Sequence, residues 1–412
     1  MIPVLDAVEI ILGAVRPLPP EKVSILEADG RVLAEDIAAP RDLPPHDNSA
    51  MDGYAVRHAD LAPGVVLEVL EEIPAGTDPT RGLGPGQAAK IMTGAPIPAG
   101  ADTVVPVEDT RPLDGRVEIV SVPKAGANIR PRGEDVREGE LVLPRGTRVR
   151  PAEVGMMASL GRAFVLVHQR PRVAVLATGD EIVDLDSPAQ GSKIINSNSY
   201  GVAAQVAEAG GVPVVLGIGR DDPDGLLEMF ERARTCDAVI TTGGVSMGDY
   251  DFVRPVLAKA GVAVQFWKVA MKPGKPVVFG LRGASPVFGL PGNPVSAMVA
   301  FEQFVRPALR KMQGHARLFR PVVEAVLGDE AGPVKTKAGR MDFVRCRVER
   351  RGTGFRVVSV KKQGSGILST LVEANGLLVI PSDSTGAKPG DLVRVQIYDE
   401  GFLDQTEPGI GP

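Results

Sequence analysis

The chain has 412 residues, room for two to four domains of ~100–200 residues each. A formal net charge of −5 and an aromatic content of 4% exclude a basic field for nucleic acid or an anionic membrane surface, and leave few platforms for stacking bases. Cys236 and Cys346 lie far apart, the four histidines have no ligand spacing and no apolar run reaches transmembrane length. These features argue against a disulfide framework, a zinc site and a membrane anchor. The expectation is a soluble cytoplasmic protein with no secretory leader, in which any metal would be a hard ion held by oxygen.

In chain order, LDAVEIILGAV (5–15) places Leu5, Val8, Leu12 and Val15 on one face of a core-facing helix. From about residue 20 to 150, short β-like pieces such as GVVLEVLEEI, AAKIMT and GRVEIVS alternate with proline and glycine punctuation, the text of a strand-rich, irregular region. RPAEVGMMASLG predicts a short helix with Pro151 in its first turn. Between residues 170 and 315, apolar strands (RVAVLAT, PVVLGIG, DAVITT, VAVQFWKVA, PVFGLP) alternate with helices expected at 198–209, 223–233, 252–260 and 294–312. That alternation predicts a mostly parallel sheet with helices on both faces and a ligand crevice beyond the carboxyl ends of the strands. After residue 319, MDFVRCRVER, GFRVVSVKK, GLLVIP and DLVRVQIYD read as antiparallel strands of a small β-barrel, followed by a frayed tail, 404–412.

The strand ends carry the chemistry. RVAVLAT runs into Gly179, Asp180 and Glu181; PVVLGIG into Arg220, Asp221 and Asp222. DAVITT runs into TTGGVSMGDYD, with Gly243, Gly244, Ser246, Asp249 and Asp251. PVFGL ends in Pro291, Gly292, Asn293 and Pro294, and KVAMKPGKP carries Lys268, Lys272 and Lys275. Glycines let backbone N–H groups approach an anion, and lysines neutralise it as point charges. Carboxylates repel the same anion unless a divalent cation lies between them. The mixture therefore points to a phosphorylated ligand handled with magnesium.

Each strand end alone is better explained structurally: Asp222-Pro223 and Asn293-Pro294 look like helix caps, and Gly179 and Gly243 like tight turns. Four together on the ligand edge outweigh that explanation. Neither the P-loop nor the dinucleotide-binding fingerprint is present. A second constellation lies upstream: Asp52 in DNSAMDGYAV, Thr93 in IMTGAPIPAGADTVVPVED, and Arg130, Arg132, Glu134 and Asp135 in NIRPRGED. Arg-Glu-Asp clusters of the last kind are usually surface ion pairs.

Taken together, DNSAMDGYAV, IMTGAPIPAGADTVVPVED, NIRPRGED, ATGDE, TTGGVSMGDYD, KVAMKPGKP and LPGNPVS resemble, in order, the motifs of the molybdopterin molybdenumtransferase family, the bacterial molybdenum insertases related to the E domain of gephyrin. The match runs from about residue 5 to 400, although TTGGVS is shared with molybdopterin adenylyltransferases. The resemblance implies a multidomain α/β plus β fold: a linking domain at 20–40 with 140–168, a strand-rich domain at 41–139, a molybdopterin-binding α/β domain at 1–19 with 169–318, and a barrel at 319–403. It also implies a homodimer with the site between subunits, and a reaction in which adenylylated molybdopterin and molybdate, with magnesium (Mg2+), give molybdenum cofactor and AMP.

By the same resemblance, Glu181, Asp221 and Asp251 are the metal and phosphate-network acids. Gly243, Gly244, Ser246, Pro291, Gly292, Pro294 and Ser296 shape the substrate cradle. Lys268 and Lys272 bind phosphate or molybdate, and Lys275 borders the loop. Asp52, Thr93, Arg130 and Asp135 act from across the dimer cleft, Asp52 as acid, base or water-orienting group. Arg345 in DFVR and Ser365 in QGSG bind an oxyanion from the barrel. Two rival readings remain open, a molybdopterin adenylyltransferase and a gephyrin-like scaffold. Cofactor-pathway proteins, the adenylyltransferase among them, are the expected partners.

Overall fold

The computed structural model describes residues 1–188, 190–219, 222–243, 250–360 and 362–404, the side chains of residues 250–254 and of Phe402 excepted. The chain forms two compact units. One comprises Met1–Val23, Gly30–Ala34 and the chain from Leu166 onward; the other comprises Ser24–Asp29 and Glu35–Val165.

Helix α1 (Val4–Ala14) opens the first unit and buries Val4, Ala7 and Ile11. Of the expected face, Val15 is buried and Val8 and Leu12 pack against the same core, but Leu5 is 65% exposed. At 100° per residue, Val4, Ala7, Ile11 and Val15 cluster tightly, whereas Leu5 falls a quarter-turn outside them.

The second unit is built on a six-stranded sheet of β1 (Gly53–Val56), β2 (Val66–Ile73), β3 (Gln87–Ile91), β4 (Thr103–Pro106), β5 (Thr110–Leu113) and β6 (Arg116–Ile119), in the order β4-β1-β3-β2-β6-β5. Both faces are covered. Tyr54 and Val56 point into one core with Leu67 and Val117, while Ala55 points into the other with Ile73 and Ile91, as the two-residue period of a strand requires. Helix α2 (Pro151–Ser159) carries its proline at the first position, and Glu153 reaches back to the Arg150 backbone N–H at 2.9 Å.

In the first unit, β7 (Arg172–Thr178), β8 (Val212–Gly219), β9 (Ala238–Thr242), β10 (Val262–Phe266), β11 (Val278–Arg282) and β12 (Ser285–Leu290) form a sheet in the order β8-β7-β9-β12-β11-β10. The first four strands are mutually parallel; β11 and β10 pair antiparallel. The crossover helices are α3 (Ser197–Glu208), α4 (Pro223–Arg232) and α5 (Tyr250–Lys259). Val173 and Val175 of β7 enter one core with α1 and α3, while Ala174 and Leu176 enter the opposite core with α4. Asp222 caps α4, its carboxylate accepting from Gly225 N at 2.7 Å, as its place before Pro223 suggested.

The helix expected over 294–312 is α6 (Pro294–Ala300) and α7 (Arg306–Met312), joined by a buried π-helical stretch, Phe301–Val305. Beyond it, β13 (Val322–Leu327), β14 (Met341–Arg351), β15 (Gly354–Ser359), β16 (Gly376–Ile380) and β17 (Leu392–Ile397) close into a barrel in the order β14-β15-β13-β17-β16, with β16 back on β14. It differs from the all-antiparallel expectation in one pairing, because β13 lies parallel to β15. Val344, Cys346, Val348, Leu378 and Val395 fill its interior.

Candidate functional site

The parallel strands β7, β9 and β12 deliver their carboxyl ends to one edge, where a cavity of about 730 Å³ opens. Its wall includes Thr178, Gly179 and Glu181 after β7, Thr242 and Gly243 after β9, and Pro291, Gly292, Asn293 and Pro294 after β12. Glu181, Gly243, Pro291, Gly292 and Pro294, all expected from sequence, thus meet at the edge the crevice rule selects.

Bare backbone is a steric requirement at Gly243. Its φ is +89°, and a Cβ there would stand 2.5 Å from the Thr178 carbonyl oxygen. Gly292 passes beside it, its own Cβ direction meeting Gly243 Cα at 3.8 Å. Glu181 turns back over Gly179, whose φ is +142° and whose Cβ would lie 2.8 Å from a Glu181 carboxylate oxygen. A short parallel ribbon of Ile182–Val183 with Ile194–Ile195 holds this loop, and Lys193 Nζ donates to the Asp180 carbonyl at 2.6 Å.

The start of α3 is a part of the wall that the motifs did not reveal. Asn196, Ser197 and Asn198 all line the cavity. Asn196 caps the helix by accepting from Ser199 N at 3.1 Å, and Asn198 Nδ2 donates to the Gly292 carbonyl at 2.7 Å, tying two walls together. The text NSNS following KII carries the capping signal that could have placed them. Gly366 and Leu368 reach the cavity from the barrel segment. Ser365, one residue earlier, accepts from Val295 N through its carbonyl at 3.1 Å. Ser296 is 5% exposed, and Asn293, at the cap position of α6, makes no side-chain capping bond.

The lysines are placed differently. Pro276 lines the main cavity, but Lys268, Lys272 and Lys275 are not in its wall. Lys272 pairs along the backbone with Asp342 of β14 and borders a separate cavity of about 180 Å³ with Asp342 and Arg345. Arg345 is 2% exposed, and its guanidinium donates to the carbonyls of Lys362 and Gly364, both at 3.2 Å. Burial pushes its pKa down from the usual arginine value. Asp221, Gly244 and Ser246, together with the Asp251 side chain, lie outside the described residues. Among the described residues, Glu181 is the acid that lines the cavity, and no cluster of three or more His, Cys, Asp or Glu side chains forms a metal cage.

In the other unit, Asp52 and Thr93 are brought together across 41 residues of chain. The Asp52 carboxylate accepts from Thr93 N and from Thr93 Oγ1, each at 2.7 Å. These bonds, the backbone one foremost, hold its pKa below the usual carboxylate value. Arg130 pairs through the backbone with Asn48, upstream of Asp52 in the same motif. Asp135 is exposed, its N–H donating to the Leu43 carbonyl at 3.0 Å. Arg132 is a clasp, ion-paired with Asp42 and donating its N–H to Asp47 at 2.7 Å. Asp42 also accepts from Glu138 N, and these bonds lower its pKa.

Known proteins share this organisation. Residues 2–161 match the family model for the MoeA N-terminal region (domain I and II), residues 174–311 that for a probable molybdopterin binding domain, and residues 329–398 that for the MoeA C-terminal region (domain IV). A molybdopterin molybdenumtransferase from Nostoc is 39% identical over 410 residues, covering 95% of this chain and 93% of that protein. Molybdopterin molybdenumtransferase 2 of Mycobacterium tuberculosis is 40% identical over 405 residues, covering 95% and 97%. The crystal structure of a molybdopterin biosynthesis moeA protein from Pyrococcus horikoshii superposes with a TM-score of 0.81 at 34% identity, covering 97% of this chain and 100% of that one. Three consecutive domain matches and full-length relatives at this identity lead to one conclusion: the chain belongs to the molybdopterin molybdenumtransferase family of enzymes.

Proposed function

We propose that the chain inserts molybdenum from molybdate into adenylylated molybdopterin, releasing AMP and forming molybdenum cofactor. The observation that carries this reading is the cavity of about 730 Å³ at three parallel strand ends, walled by Gly179, Gly243 and Gly292. It has room for a nucleotide-sized ligand. Its glycine backbone leaves space for phosphoryl oxygens, and the Asn198 and Ser197 side chains offer polar contacts at the same wall.

The donors at this wall suit a hard cation. Glu181 is a carboxylate in the wall, the oxygen donor class magnesium prefers, and Asp221 and Asp251 complete the proposed set. When bound, magnesium supplies charge neutralisation beside the phosphoanhydride. Glu181 would hold it while the glycine backbone orients the phosphates. Asp52, kept ionised by its two bonds from Thr93, is suited to orient water, and its lowered pKa makes it a weaker proton acceptor than an ordinary aspartate. Arg130 and Asp135 belong to the same group, which we assign to a second copy of the chain in a homodimer. Lys268, Lys272, Lys275, Arg345 and Ser365 are assigned to delivery of the oxyanion. The four-domain division, a cytoplasmic setting and transfer of substrate from a molybdopterin adenylyltransferase belong to this same reading.

Two incubations separate it from its rivals. Adenylylated molybdopterin with molybdate and magnesium should yield AMP and molybdenum cofactor, while molybdopterin with ATP should yield no adduct. Adduct formation from ATP instead would make the chain an adenylyltransferase, and inactivity in both would favour a scaffold.

A further inference from the structure

Thr178 ends β7, the strand between β8 and β9 in the parallel sheet. It lines the cavity and is 6% exposed, and its Oγ1 is buried without a hydrogen-bond partner among the described residues. A buried hydroxyl left in this state is destabilising, and folds rarely keep one without a use. Thr242, on the adjacent strand and also in the wall, is satisfied internally, its hydroxyl donating to the Leu176 carbonyl at 3.4 Å. The unmet group is therefore specific to Thr178 and is not a general feature of threonines at this edge.

The surroundings of Thr178 are cleared by glycine. Gly179 follows it, and Gly243 lies across from it, where an added Cβ would come within 3.4 Å of the Thr178 hydroxyl oxygen. No side chain at either position screens that oxygen. We infer that the Thr178 hydroxyl is a ligand-binding group of this cavity, donating its proton to a phosphoryl oxygen of the nucleotide half of the substrate and of the product AMP. This role rests on the function proposed above and adds a residue to it. A phosphoryl oxygen is the fitting acceptor because a hydroxyl is a neutral donor, able to bind an anion beside Glu181 without forming an ion pair with that acid.

Calorimetry and thermal unfolding together separate binding from folding. AMP is titrated into the full-length protein, Thr178→Val and Thr178→Ser, once with EDTA and once with magnesium, and thermal unfolding of each is recorded without nucleotide. Thr178→Val keeps the shape and removes the unmet hydroxyl, so its Tm should equal or exceed that of the wild type while AMP binds about 10- to 100-fold more weakly. Thr178→Ser should keep wild-type affinity even where its Tm falls. Unchanged AMP affinity in Thr178→Val would overturn the inference. A fall in Tm of Thr178→Val would also overturn it, since the hydroxyl would then have its partner inside the fold. An effect of Thr178→Val that appears only with magnesium would assign the hydroxyl to the cation instead, against the inference. Failure of the wild type to bind AMP at all would instead defeat the function assigned to the cavity, and this inference with it.

Discussion

Two bonds from one residue set the charge of Asp52. Thr93 N and Thr93 Oγ1 both stabilise the ionised carboxylate, so its pKa lies below the ordinary aspartate value. A group with a depressed folded pKa contributes stability above its unfolded pKa and loses it as pH falls through the folded value. Thr93→Val removes the hydroxyl donor and leaves the backbone donor in place. The Asp52 pKa should then rise toward the ordinary aspartate value, and any acid limb in the rate that follows Asp52 should move to higher pH. Carboxyl-carbon NMR titration checks the first shift directly; an unmoved Asp52 resonance would show that the backbone bond alone sets it. Asp52, Thr93, Glu181, Gly243 and Gly292 are legible in the sequence as candidates because each stands in a short motif at a strand end or turn, and Glu181, Gly243 and Gly292 do meet in one cavity wall. Thr178 is not, because its place rests on a hydroxyl that finds no partner among the described residues, which spacing does not encode, and Asn196 and Asn198 left only the capping signal of NSNS.

Among the elements, the parallel strands read easily because burial on both faces writes continuous apolar runs. The helix at Pro223 reads easily because Asp-Pro marks a cap and a first turn. The barrel's parallel β13–β15 pair leaves no such mark, since parallel and antiparallel ladders bury the same alternating side chains. The π-helical stretch between α6 and α7 is hidden for a related reason: an extra residue per turn leaves an apolar helix still apolar. That stretch carries Glu302, which accepts from Arg320 Nε at 2.9 Å and from Gln205 Nε2 at 2.9 Å, while Arg306 Nε lies 3.9 Å away. Glu302 is 8% exposed. Removing one member of such a buried group strands its partners, at a cost of ~3–5 kcal/mol. Glu302→Ala should accordingly lower the unfolding free energy measured in urea by that much, since Arg306 and Arg320 would face each other with less compensating charge. A loss under about 1 kcal/mol, the range of exposed pairs, would mean that water reaches the cluster.

At the scale of the whole molecule, the proposed chemistry draws on both compact units: the cavity and its glycines belong to one, Asp52 and Thr93 to the other. A fold that only bound the nucleotide would need the first unit alone. The most direct measurement is AMP release from adenylylated molybdopterin in the presence of magnesium, with and without molybdate, by the wild type and by Asp52→Ala. Release that requires molybdate and falls by about 10²-fold or more in Asp52→Ala, the scale of a lost general acid or base, is the expected result. Release that ignores molybdate, or that Asp52→Ala leaves unchanged, would contradict the proposed insertion reaction and the role given to Asp52 in it.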